Sequence, residues 1–193
     1  MSKSDNDDFI RQRQLKIISA AKTCFSLSGF HGASMADISH ESGLGAGQIY
    51  RYFSSKEIIV NETIKSIAEK WRIFLLDNFK VNTSTSNIVE TESEFWQNWS
   101  FRDRCLLLEM YSEASRNPSV REIIEHEEKI LVAELDTLFR HKMPAASPQK
   151  RSNRIQFLLM LADGVACRTF GDKNVDQEEL ARINSILAGH LFS

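Results

Sequence analysis

Little in this sequence staples or interrupts the chain. Three cysteines in 193 residues, Cys24, Cys105 and Cys167, make an odd set without C-x-x-C spacing. That excludes a disulfide framework or a zinc ribbon and points to a reducing compartment. The five histidines, His31, His40, His126, His141 and His190, are dispersed, and the place of a second metal-binding histidine after His126-Glu127 is held by Ile130; no metal site is expected. No apolar run approaches the roughly 20 residues of a membrane span, and the opening Met-Ser-Lys-Ser-Asp-Asn-Asp-Asp is too polar for a signal-peptide core. A cytoplasmic protein with no membrane partner is therefore expected. Gly43, Gly45 and Gly47 break the dinucleotide-binding spacing at Gln48 and no strand precedes them, and no Ser-His-Asp set is assignable. Neither a cofactor nor catalytic residues are expected.

Excess charge of either sign is also missing. The net charge is -2, with 42% hydrophobic and 26% charged residues, which is ordinary globular chemistry and argues against a bulk polyanion binder. A chain of this length buries about 70% of its unfolded surface and needs no staple. The distribution is more informative. From Arg11 to Glu57 the bases Arg11, Arg13, Lys16, Lys22, Arg51 and Lys56 outnumber Asp37, Glu41 and Glu57, while the remainder is acidic. A localised phosphate-contacting surface has this form.

What is present is helical periodicity, without alternating strands or an Asn-Gly hairpin, so the fold class expected is all-α with about nine helices. From Arg11 to Leu27 the apolar set Leu15, Ile18, Ala21, Cys24 and Phe25 recurs at three- and four-residue steps, with Gly29 at the C-terminal cap. Ser34 then caps a short helix with Asp37 at its third position, and Gly43 ends it. A third short helix runs from about Gly45 to Tyr52. Ser54-Ser55-Lys56-Glu57 opens a long fourth helix that carries Ile58, Ile59, Ile64, Ile67, Ala68, Trp71, Phe74 and Leu75 and fades in the loop-like residues 82–87. Further helices are expected over Glu90–Trp99, Arg102–Arg116, Pro118–Lys142, Pro148–Thr169 and Asp176–Leu191, with turns at 144–148 and at Gly171-Asp172.

Residues 34 to 53 hold the functional signal. A two-turn helix, a glycine-containing turn and a second short helix follow the helix-turn-helix plan, in which the second helix enters the major groove. Ile38, Leu44, Ile49 and Phe53 fall where the helices pack, leaving Gln48, Tyr50, Arg51 and Tyr52 facing outward. Tyr52 also fits a core position. Across residues 15 to 60 the sequence resembles the TetR family of bacterial regulators, through Ala20-Ala21, Phe25, Gly29-Phe30, Ser34, Ile38, Gly43-Leu44, Ile49-Tyr50-Arg51-Tyr52-Phe53 and Ser55-Lys56-Glu57. The resemblance implies that Ser34 and Lys56 contact phosphates and that Tyr50 and Tyr52 reach the backbone or a thymine methyl. Gln48 is the choice for direct readout, since its amide suits adenine, and Arg51 faces phosphate or solvent. The chain departs from the family's pattern at Gly45-Ala46-Gly47, nearly bare of side chains, so backbone approach, apolar contact from Ala46 and DNA shape carry more of the specificity.

The same resemblance implies a DNA-binding domain over residues 1–56, with 1–10 as a flexible tail, and a helical ligand-binding and dimerisation domain over 57–193. It implies a non-enzymatic repressor that binds a palindromic operator in double-stranded DNA as a homodimer and is released by a small-molecule effector. The dimer would form through residues 148–191, where Phe157, Leu161 and Val165 add a second partial stripe to the one formed by Ile155, Leu158, Leu159, Ala162 and Ala166. A wholly intramolecular core is the alternative. Candidate effector contacts are Trp71, Trp96, Trp99, Met110, Glu113 and Asp163. The two acids either line a pocket or are satisfied by neighbouring donors. A helical adaptor or a small helical enzyme without DNA affinity is the competing functional class.

Overall fold

The computed structural model describes residues 3–81, 88, 94–168, 176, 178–179, 182–183 and 185–187. Among them lie seven α-helices: α1 (Lys3–Gly32), α2 (Met35–Ser42), α3 (Ala46–Ile49), α4 (Lys56–Val81), α5 (Phe101–Ala114), α6 (Pro118–Lys142) and α7 (Pro148–Cys167), with one 3-10 turn at Glu94–Trp96. The all-α class expected from periodicity is the class found. The expected loop at 82–87, the start of the helix expected from Glu90, the turn at Gly171-Asp172 and most of the helix expected over Asp176–Leu191 lie outside the described residues.

Packing divides the chain into two compact units, Met1–Glu69 with Phe101–Ile124, and Lys70–Ser100 with Glu125–Ser193. The division runs along α4 and α6, each of which gives residues to both units, and it groups α5 and the start of α6 with the N-terminal helices rather than with residues 70–100.

In the first unit, α1 turns Ile17, Ala21, Phe25 and Phe30 inward at four- and five-residue steps, each at most 1% exposed. Phe25 and Phe30 meet edge to face at 5.1 Å, a favoured aromatic geometry. Two expectations for α1 need correction. The helix begins at Lys3, inside the stretch expected as a tail, where the Arg13 guanidinium lies over the Phe9 ring at 5.0 Å. Leu15 is 60% exposed, because the inward face is centred on Ile17 and Ala21 instead. Likewise in α4, Ile59 and Ile64 are fully buried while Ile58 is exposed. Gly29 does end the long run of α1, with φ 72 and ψ 169, but another short turn follows it, closed by Ala33 N–H to Gly29 O at 3.3 Å.

In the second unit an aromatic cluster gathers Trp71, Phe74, Phe95, Trp96 and Trp99, with ring centroids 4.8 to 6.2 Å apart. Leu131, Leu135 and Phe139 of α6 and Ile155, Leu158, Ala162 and Ala166 of α7 are buried as well. The Arg72 guanidinium donates to Glu127 and Glu134, each at 2.8 Å, and Arg151 donates to Asp136 at 2.9 Å and to the Ala146 carbonyl at 2.7 Å. Arg151 and its helix are set by Ser147, whose hydroxyl accepts from Lys150 N–H ahead of Pro148 in the first turn, where a missing N–H costs nothing. Phe25→Ala is expected to lower stability by about 3–5 kcal/mol through lost burial and a cavity, read as a lower urea midpoint; an unchanged midpoint would contradict the packing described.

Candidate nucleic-acid interface

The wedge is built from the turn outward. Ser34, extended at φ -102 and ψ 165, caps α2: its hydroxyl accepts from Asp37 N–H at 3.2 Å, and Asp37 accepts in return from Ser34 N–H at 2.8 Å. These two bonds satisfy donors that a helix end otherwise leaves bare. Gly43 ends α2 at φ 64, the left-handed conformation that a side chain resists, and its N–H reaches the His40 carbonyl at 3.2 Å. Leu44 then drops into the core, with its carbonyl accepting from Ser39 Oγ at 2.6 Å and its N–H donating to Ser42 Oγ at 3.3 Å. The α-helical part of α3 is only Ala46–Ile49, shorter than expected. Tighter bonds from Arg51 N–H to Gln48 O and Tyr52 N–H to Ile49 O carry the turn on to Phe53. Ile38, Leu44, Ile49 and Phe53 are 0–6% exposed, so the packing face read from spacing is the packing face.

The opposite face is open. Ser34, Gly45, Ala46, Gln48, Tyr50 and Arg51 are exposed, with Tyr50 at 50%, and Tyr52 and Lys56 are half-buried. Lys56, in the first turn of α4, donates to the His31 carbonyl at 3.1 Å, which holds the ammonium beside the end of α1 with hydrogens to spare for another acceptor. Gln48 folds back so that its Oε1 accepts from Gly45 N–H at 3.1 Å. Its amide nitrogen remains as an outward donor, and the oxygen keeps a second lone pair. Lys16, which the sequence offers only as one of the bases of the N-terminal segment, is an exposed α1 cation whose Nζ lies 4.0 Å from where a Cβ on Gly43 would stand. It lies a turn ahead of Ala20, the first of the motif residues, and the fold is what brings it to the wedge.

Gly45 and Gly47 have no internal reason to be glycine. Gly45 has φ -59, and positive φ among the described glycines occurs only at Gly29 and Gly43. A Cβ at Gly45 would meet only Gln48 Oε1, at 3.9 Å, and one at Gly47 would meet nothing within 4 Å. Glycine inside a helix is about 0.5–1 kcal/mol less stable than alanine, so a bare surface at Gly47 is retained against the protein's own stability.

The first unit's sequence from residue 17 to residue 63 matches the family model described as bacterial regulatory proteins, tetR family. That range spans α1 from Ile17 through the start of α4 and includes every residue of the wedge. Residues 17–63 are thus a DNA-binding domain of the TetR family of transcriptional regulators. Its likeness extends beyond the wedge: it is 26% identical over 181 residues to the HTH-type transcriptional regulator UidR of Escherichia coli K12, covering 90% of this chain and 87% of that one. The HTH-type transcriptional regulator BetI of Vibrio vulnificus is 32% identical over 114 residues, 49% of this chain and 57% of its own. In fold, the regulator resembles Salmonella enterica GusR, with a TM-score of 0.67, 24% identity and 93% of each chain covered. A transcriptional regulator from Aquifex aeolicus VF5 gives 0.61 at 17% identity, over 93% of this chain and 99% of that one. This is a DNA-binding regulator and not an enzyme.

The six residues expected to bind an effector are divided between the two units. Trp71, Trp96, Trp99 and Asp163 come together in the second, where Trp71 Nε1 donates to Asp163 Oδ1 at 3.2 Å and the Lys70 ammonium lies 5.3 Å from the Trp99 ring centroid. Trp99 is 3% exposed, and its indole N–H has no hydrogen-bond partner among the described residues. Met110 and Glu113 belong to the first unit. Glu113 accepts from His31 at 2.9 Å, Arg116 at 2.7 Å and Asn117 at 3.2 Å; burial alone would push its carboxyl up, yet these bonds hold it below the usual carboxylate range. Both acids therefore have protein donors, the second of the two alternatives left open by the sequence. An open groove in the second unit, lined by Glu125, Glu128, Val132, Ala133, Asp136 and Gln156, includes none of the six.

Two outcomes follow for the wedge. Gly47→Ala is expected to raise the melting temperature, by the equivalent of about 0.5–1 kcal/mol, while weakening operator binding; effects of the same sign in the two assays would contradict a glycine kept for close approach. The backbone N–H and hydroxyl of Ser34 hold the Asp37 carboxyl below its ordinary range. With a depressed folded-state value, its contribution is complete above the unfolded aspartate range and is lost as pH falls through the lower one. The Ser34→Ala variant is expected to show a shallower loss of α2 amide protection between pH 5 and pH 2 than the unaltered chain.

Proposed function

We propose that this regulator is a repressor that binds a palindromic operator as a homodimer and is released by a small-molecule effector. The observation that carries the reading is the wedge itself: four buried apolar side chains fix α2 on α3 while Gly45 to Arg51, Ile49 excepted, face outward. Ser34, Lys56 and Lys16 are the phosphate contacts, Gln48 and Ala46 face base edges, Tyr50 and Tyr52 reach backbone or a thymine methyl, and Arg51 adds a further phosphate contact. Residues 1–56 form the DNA-binding part and 57–193 the ligand-binding and dimerisation part, in a bacterial cytoplasm.

Dimerisation is supported by α7, whose Met160 is 63% exposed and whose Gly164 has open space around it, with Phe157, Leu161 and Val165 half-buried along the same side. Ile183 and Ile186 add 44% and 58% exposed apolar surface from the expected last helix. Such a stripe is costly to leave wet and suits an isologous partner. Effector binding is supported by the aromatic cluster around Trp99, where a ligand oxygen or nitrogen would satisfy the bare indole N–H. A tenfold change in operator affinity requires about 1.4 kcal/mol of differential effector binding.

Selection from a pool of random duplexes tests the reading directly: recovery of an inverted repeat with half-site centres roughly 34–36 Å apart, or a related spacing, is expected. A pool that returns no repeat would sink it. On the recovered duplex, Lys56→Ala is expected to weaken binding across sequences and reduce the salt slope by about one, whereas Gln48→Ala relaxes preference at one base step. If both leave affinity unchanged at moderate salt, the assigned roles are wrong.

A further inference from the structure

The C-terminal end of α1 is held from outside. At Gly29 the backbone turns to φ 72, ψ 169 and takes the next residue off the helical ladder. The freed Phe30 N–H donates to Glu109 Oε1 of α5 at 2.8 Å. Residues 30–32 then form a fresh helical turn, so Glu109 fills, from another helix, the place of an N-cap. One turn along α5, Glu113 accepts from the His31 ring, while the carbonyl of the same residue receives Lys56 of α4. Further back, Arg102 donates to Thr23 Oγ1 at 3.2 Å. Gly29 fits tightly under this hold: a Cβ there would lie 2.9 Å from Glu109 Oε1.

We propose that Glu109 is a positioning residue for DNA recognition, fixing through the Phe30 amide the angle at which α1 delivers α2 and the reading edge of α3. Only four residues, Phe30 to Ala33, separate the break at Gly29 from the Ser34 cap, so a rotation at Gly29 swings the whole wedge. Phe30 and Ala33 are each 1% exposed, and the connection is packed rather than loose. A carboxylate on α5 thereby sets a feature that α1, α2 and α3 do not set among themselves. This rests on the wedge being the DNA reader.

The test compares Glu109→Ala, which removes the acceptor, with Glu109→Gln, which keeps an oxygen for the Phe30 N–H. The probe is a duplex recovered from the random pool by the unaltered chain. Glu109→Ala is expected to lose about five- to tenfold in affinity with the slope of affinity against salt unchanged, since no phosphate contact is removed. Glu109→Gln is expected to stay within about twofold. Hydrogen exchange without DNA is expected to show the Phe30 amide less protected in Glu109→Ala and normal in Glu109→Gln. Equal binding by all three chains, equal loss in both variants, or a changed salt slope each overturns the proposal. If Glu109→Ala does not fold, Glu109→Gln decides: retained affinity and Phe30 protection support it, and their loss overturns it. Failure of the unaltered chain to select any duplex strikes the DNA-reading assignment instead, while Phe30 exchange still judges the hold on α1.

Discussion

The constraint on which everything else depends is that α3 is too short to exist alone. Four helical residues form a single turn, far below the roughly 12–15 residues at which an isolated helix becomes even marginal in water. Its shape is therefore imposed by packing, chiefly through Ile49, which is fully buried, and Phe53, which follows it at one turn's distance. α2, with eight residues, is little better placed and relies on the Ser34–Asp37 box at one end and left-handed Gly43 at the other. A reading edge of this kind is only as stiff as its supports. That is why polar contacts well behind it, at Phe30, His31 and Lys56, matter to what it can do.

Much of the wedge was legible because its determinants are local. Ser34 with Asp37 three residues on, Gly43 after a two-turn pattern, and apolar residues at 38, 44, 49 and 53 each declare themselves within a few positions. The inward face of α1 was harder to read. Leu15 carries the right periodicity yet lies in water, because a helix of this length presents more apolar residues than its partners can cover, and partners are a tertiary fact. The long-range clasp was not legible at all. Glu109 carries no signal of its own and Glu113 asks only for a ligand or some donor, and nothing in the sequence announces a partner some 79 or 82 positions earlier. The grouping of α5 with the N-terminal helices escaped notice for the same reason.

The acids also show how a buried charge is tolerated. Glu113, in an otherwise apolar run, requires either a ligand or local donors, and three donors are present. Asp163 likewise has an indole N–H. Among the described residues the buried groups without a partner are the Thr63 hydroxyl and the indole N–H of Trp99, whose ring is well packed while its nitrogen is bare. Counting satisfied polar atoms therefore shifts attention from the carboxylates to an aromatic donor as the place where an apolar cluster retains unused hydrogen-bonding capacity.

The open space above Gly47 has a consequence for how such a protein can change. Because the scaffold around α3 is indifferent to what projects there, a side chain can be added without rebuilding anything beneath it. If the wedge reads DNA as proposed, mutation at that point would alter which DNA is admitted while leaving the folding of the protein intact. A duplicated copy of this chain could thus drift toward a new target by single substitutions, each of them viable, which is the condition under which one architecture diversifies into many regulators.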